Sequence, residues 1–75
     1  MHALTIKTTP VDTQTDVEEA CEQLREIASY DLAVTQTQLD RRARSATLTV
    51  SVSNRERFLA NLAASKYARF YKVVG

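Results

Sequence analysis

The chain predicts an α+β fold, a ferredoxin-like βαββαβ sandwich with a four-stranded antiparallel sheet and two helices on one face. Three observations carry that expectation. Four short stretches alternate in hydrophobicity or are rich in β-branched residues, and two stretches with apolar residues at helical spacing fall between the first and second and between the third and fourth of them. The third is size: 75 residues, 44% hydrophobic and 25% charged, supply one core, so residues 1–75 are read as a single domain. Right-handed crossovers then place strands one and three at the centre of the sheet, expected as parallel neighbours, with two and four at the edges.

Each element has its own signal. His2 to Thr8 reads as a strand, Leu4 and Ile6 on one face and Ala3, Thr5 and Lys7 on the other, closed by Pro10. Thr15 and Glu18 have capping-box spacing, and Val17, Ala20, Cys21, Leu24, Ile27 and Ala28 follow as an apolar helical stripe. The opposite helix face carries Asp16, Glu19, Glu22, Gln23 and Glu26, with acids near the first turn where the helix dipole favours them. Leu32 to Leu39 is rich in Val, Thr and Leu; a polar turn with Asp40, Arg41, Arg42 and Arg44 leads into Ala46 to Ser53, where Leu48, Val50 and Val52 alternate with Thr47, Thr49 and Ser51. Ser53 and Glu56 repeat the capping-box spacing ahead of a helix carrying Phe58, Leu59, Leu62 and Ala63 and running to Lys66. The β-prone stretch from Arg69 to Val74 is read as the closing strand.

With Leu4, Ile6, Leu48, Val50 and Val52 turned to the helices, the opposite sheet face is expected to show Thr5, Lys7, Thr47, Thr49, Ser51, Tyr71 and Val73. Such a surface is either a contact site for a protein partner or a second copy, or a face simply wetted by solvent. Up to Asp40 two cations stand against eight acids, giving −6; from Arg41 onward eight cations stand against Glu56, giving +7. This asymmetry either steers a partner or lets two neighbouring halves neutralise each other. Arg41, Arg42 and Arg44 join the face as candidate interaction residues, while Arg69 and Lys72 discourage pairing along the last strand's edge.

Several functions lose support on composition. A lone Cys21 excludes an internal disulfide, and with only His2 beside it no closed zinc site can be assembled. The only glycine is Gly75, which removes phosphate-cradling loops and dinucleotide fingerprints. No membrane span or secretory h-region is present, so this segment is expected to be soluble. RNA-recognition domains share the element order but stack bases on aromatics of the central strands, where this chain has Thr and Ser, and the five arginines at 41, 42, 44, 55 and 57 make a small patch; nucleic acid is not expected as a partner. No nucleophile–base pair or paired carboxylates emerge, so no catalytic residue, cofactor or metal site is assigned. Cys21, inside the apolar stripe, is expected to be an inert structural thiol, and Asp12 and Asp16 to cap the helix rather than hold a hard cation. Tyr30, Tyr67 and Tyr71 read as packing residues with a wet hydroxyl.

The succession "HALTIKT", "VEEACEQLREIA", "DLAVTQTQLD", "SATLTVSVS", "RERFLANLAAS" and "RFYKVVG" resembles, over nearly its whole length, the ACT-like regulatory domains, and more narrowly the cytoplasmic C-terminal domain of MgtC-family bacterial membrane proteins. The resemblance implies a module excised from a larger protein of the bacterial inner membrane, itself lying in the cytoplasm and meeting the membrane only through an N-terminal part. It implies a non-catalytic regulatory or protein-interaction role in adaptation to low magnesium and survival inside macrophages, a virulence function. The alternative it implies is an ACT-type sensor of an amino acid or metal. Amino-acid-binding ACT domains commonly have a glycine in the loop after the first strand, and "TTPVDTQTD" has none.

Overall fold

Alternation fixes which side of each strand is buried, and the sheet is built on that rule. A computed structural model describes every residue from Met1 to Gly75. Its elements are β1 (His2–Thr8), α1 (Gln14–Ile27), β2 (Leu32–Asp40), β3 (Ser45–Val52), α2 (Arg55–Ala64), a 3₁₀ turn (Ala68–Phe70) and β4 (Tyr71–Val73). The sheet order is β2-β3-β1-β4, every neighbouring pair antiparallel, with the two helices on one side: a ferredoxin-like βαββαβ sandwich. The expectation that strands one and three are parallel is therefore corrected. The crossover through α1 returns β2 in the direction of β1, the hairpin reverses β3, and β3 then lies antiparallel to both of its neighbours.

The buried side holds Leu4, Ile6 and Thr8 of β1, Ala46, Leu48, Val50 and Val52 of β3, and Leu32 of β2. Val17, Ala20, Cys21 and Leu24 of α1 and Phe58 and Leu62 of α2 close over them; the apolar residues of this layer, together with Val11, Ala28 and Tyr71, form one cluster of 16 buried residues. Each fully buried large aliphatic contributes roughly 1.5–3 kcal/mol.

Two capping expectations shift by a residue or two. α1 starts on Thr13, whose side chain accepts from Asp16 N at 3.2 Å while the Asp16 carboxylate accepts from Thr13 N at 3.2 Å and Asp12 N at 3.1 Å. The sequence holds two overlapping boxes, and the earlier one wins because its acid caps two backbone donors at once. α2 starts on Asn54, which accepts from Arg57 N at 3.0 Å, and Ser53 instead donates to Asp31 Oδ1 at 2.7 Å. α2 also stops at Ala64, short of Lys66. Ser65 leaves helical geometry (ψ 145°), and its hydroxyl accepts from Tyr67 N at 3.1 Å. The expected strand from Arg69 begins only at Tyr71, after the 3₁₀ turn.

A bulge lies between Val34 and Gln36 of β2. It switches the strand's parity, so that Val34 meets Val50 on the helix side while Gln36 meets Thr49 on the other.

Candidate interaction surface

Register turns the side of the sheet away from the helices into a grid. Ala33, Ser51 and Ala3 form one row; Gln36, Thr49 and Thr5 a second; Gln38, Thr47, Lys7 and Lys72 a third. Past β4 the chain keeps bonding to β1, Val74 N to Thr5 O and Thr5 N to Gly75 O, both at 2.9 Å, which adds the 52% exposed Val74 to the second row. Thr5, Thr47, Thr49 and Ser51 are half-buried by their neighbours, whereas Ala3, Lys7, Ala33, Gln36, Gln38 and Lys72 are exposed. No aromatic and no helix covers this face.

Of the residues expected there, Thr5, Lys7, Thr47, Thr49 and Ser51 are in place. Tyr71 and Val73 are not. Tyr71 pairs with Thr8 and Val73 with Ile6, both helix-side residues, so Tyr71 is 9% exposed and its hydroxyl donates to Gln23 Oε1 on α1. With apolar residues at 70, 71, 73 and 74, either parity of that stretch looks half apolar, and only pairing with β1 fixes the phase. Lys72, Gln36 and Gln38 were missed as face residues for the same reason: phase after a turn or a bulge is not written in local alternation.

The arginines separate. Arg44 adopts φ 52° in the hairpin and clamps it to the first loop: Nε donates to Asp12 Oδ1 at 2.8 Å, an NH2 group to Oδ2 at 3.1 Å, and Val11 N donates to Arg44 O at 2.8 Å. The hydrogen-bonded guanidinium holds the Asp12 carboxyl below its usual range, and the same contact pushes Arg44 up. Arg44 is thus a structural clamp rather than a free contact residue. Arg41 and Arg42 remain exposed at the tip, where Asp40 Oδ1 accepts from Arg42 N and Ala43 N at 3.1 Å. Arg55 and Arg57 lie beyond the other end of β3, so the five arginines do not form one patch.

On the helix side an open groove of about 420 Å³ runs between the start of α1 and the segment before β4, with Asp16, Glu19 and Gln23 on one wall and Tyr67 and Phe70 on the other. Asp12 borders it but is engaged by Arg44, and Asp16 by its cap. Cys21 is buried, and desolvation pushes its thiol up, away from the reactive thiolate. No three His, Cys, Asp or Glu side chains converge as metal ligands, and no helix is long and apolar enough to cross a membrane. His2 is exposed at the start of β1.

The geometry defines the class, a small α+β domain with one uncovered sheet face. Comparison with known proteins finds no matching family model, no matching curated protein and no matching solved structure.

Proposed function

We propose that this chain is a non-catalytic protein-interaction module that works through its uncovered sheet face. In the setting the sequence resemblance implies, it is the cytoplasmic regulatory domain of an MgtC-like membrane protein serving adaptation to low magnesium and survival inside macrophages. The observation that carries the interaction reading is the face itself, three ordered rows centred on short Thr, Ser and Ala side chains, with Gln36 and Gln38 at the β2 edge and Lys7 in the third row, and with no helix of the same chain against them. Short β-branched and small side chains lose little rotamer freedom on contact, which suits a surface that must be covered.

The test is a variant at the centre of the face. Thr49→Arg places a long side chain there without entering the core, and such a change at a half-buried strand position shifts stability by about 1 kcal/mol or less. Co-purification from the cell that makes the full protein is expected to recover partners with the wild type and lose them with Thr49→Arg, at unchanged circular dichroism. An unchanged set of partners would sink the reading. The groove beside Glu19 favours the sensor as a second reading; it requires amide shifts around Thr9 to Asp12 on titration with amino acids, which the first reading does not.

A further inference from the structure

On the uncovered face two like charges are held together, while Asp40, which the alternation of β2 places on the same side at the far edge, is occupied by the hairpin. Lys7 and Lys72 are direct cross-strand partners between β1 and β4, both exposed. Neither has an ion-pair partner, since the salt bridges of the molecule are Glu22–Arg25 and Asp12–Arg44. Like charges directly opposite destabilise an antiparallel pair, and β4 is a strand of only three residues. The remaining neighbours in the row, Thr47 and Gln38, are neutral. Asp40, the one carboxylate in strand register near that end, is engaged by two backbone amides of the hairpin, and Arg41 and Arg42 beyond it add positive charge.

We infer that the Lys7–Lys72 pair is a carboxylate-binding element and that the partner laid on this face is an acidic protein segment bearing Asp or Glu side chains. This rests on the interaction reading above and names the chemistry of its partner. A carboxylate between the two ammonium groups converts their repulsion into two charge-assisted hydrogen bonds, so binding also tightens β4 onto β1. The rest of the face supplies hydroxyls and amides that bond a peptide. It offers no ring for stacking bases and too few cations to follow a phosphate backbone, which favours a protein over a nucleic acid.

The experiment is a titration of the ¹⁵N-labelled chain with a hexaglutamate peptide, alongside hexalysine, a short DNA duplex and phosphatidylglycerol vesicles. Hexaglutamate is expected to shift the amides of Thr5, Lys7, Thr47 and Lys72, with affinity falling about tenfold between about 0.05 and 0.3 M salt. Lys72→Glu supplies the carboxylate in cis; it abolishes those shifts and raises the melting temperature. Lys72→Gln, which keeps size and loses charge, weakens binding severalfold. Shifts spread evenly over all lysines and arginines, an equal response to hexalysine, a stronger response to DNA or vesicles, or no response to hexaglutamate overturns the inference. If hexaglutamate fails while Thr49→Arg still loses its partners, the acidic partner is wrong and the interaction reading stands; if Thr49→Arg keeps them, both fall.

Discussion

Tyr71 joins the sheet to α1 through a single polar contact, its hydroxyl donating to Gln23 Oε1 at the edge of the core. Burial foremost, with Cys21 and Tyr67 adding to it, pushes its phenol up to about 12. A tyrosine in an unfolded chain titrates near about 10, so the folded state holds this proton more tightly. The stability this group contributes is therefore complete below about pH 10 and is lost as pH rises from there through about 12. Thermal melts across that range should show a steep alkaline decline in the wild type. Tyr71→Phe keeps the ring but loses the bond to Gln23, lowering neutral stability by about 1 kcal/mol while flattening the alkaline limb. A variant whose alkaline decline parallels the wild type would exclude Tyr71 as its source. At this scale the sequence was informative where a residue sat inside a strong pattern, as Cys21 does in its helical stripe. It was silent where the partner lay far along the chain: the Arg44–Asp12 clamp spans 32 positions, and nothing local to either residue distinguishes it from a free arginine on a hairpin.

The end of α1 shows what an element does without glycine. Ser29 N donates to Glu26 O at 3.0 Å and Tyr30 N to Arg25 O at 2.6 Å, the paired bonds of a Schellman motif, with Ala28 as the cap. That geometry needs left-handed backbone, here φ 53° at Ser29 and 66° at the 69% exposed Tyr30. An L-residue there costs roughly 1–2 kcal/mol, which glycine avoids. Ser29→Gly should raise stability by about 0.5–1 kcal/mol after the greater freedom of the unfolded chain is counted, or about 3–6 °C in melting temperature. Ser29→Ala, still strained, should not. A Ser29→Gly melting point at or below the wild type would mean that the motif carries no relievable strain. The existence and type of both helices and of β1 to β3 were legible, α1, α2, β1 and β3 from the spacing of their apolar residues and β2 from its β-branched content, since its alternation is broken by the bulge. Boundaries were less so, since adjacent Thr, Ser, Asn and Asp residues offer competing caps, and the three-residue β4 takes its phase wholly from β1.

Across the whole molecule, 32 × 24 × 20 Å, the two faces of one sheet have opposite fates. The charge asymmetry along the chain resolves partly into internal neutralisation, with Arg44 of the basic half drawn onto Asp12 of the acidic half, and partly into free cations at the hairpin and on the face. Which face is buried was written in the alternation of β3; that the other stays uncovered follows from both crossovers running on one side. This asymmetry has a measurable consequence at two adjacent residues of β3. Leu48 points into the core at 0% exposure, and Thr47 sits on the uncovered side between Gln38 and Lys7. At about 0.05–0.15 kcal/mol per residue, a chain of this length has about 4–11 kcal/mol of stability in total. Leu48→Ala leaves a cavity costing about 2–5 kcal/mol, enough to consume a large share of that or to unfold the chain. Thr47→Ala, one position away, should change it by about 0.5 kcal/mol. Urea unfolding of the two variants reads the difference as a large fall in midpoint for one and almost none for the other. Comparable falls would mean that the Thr-bearing side is packed within the same chain, and that no face is left over for a partner.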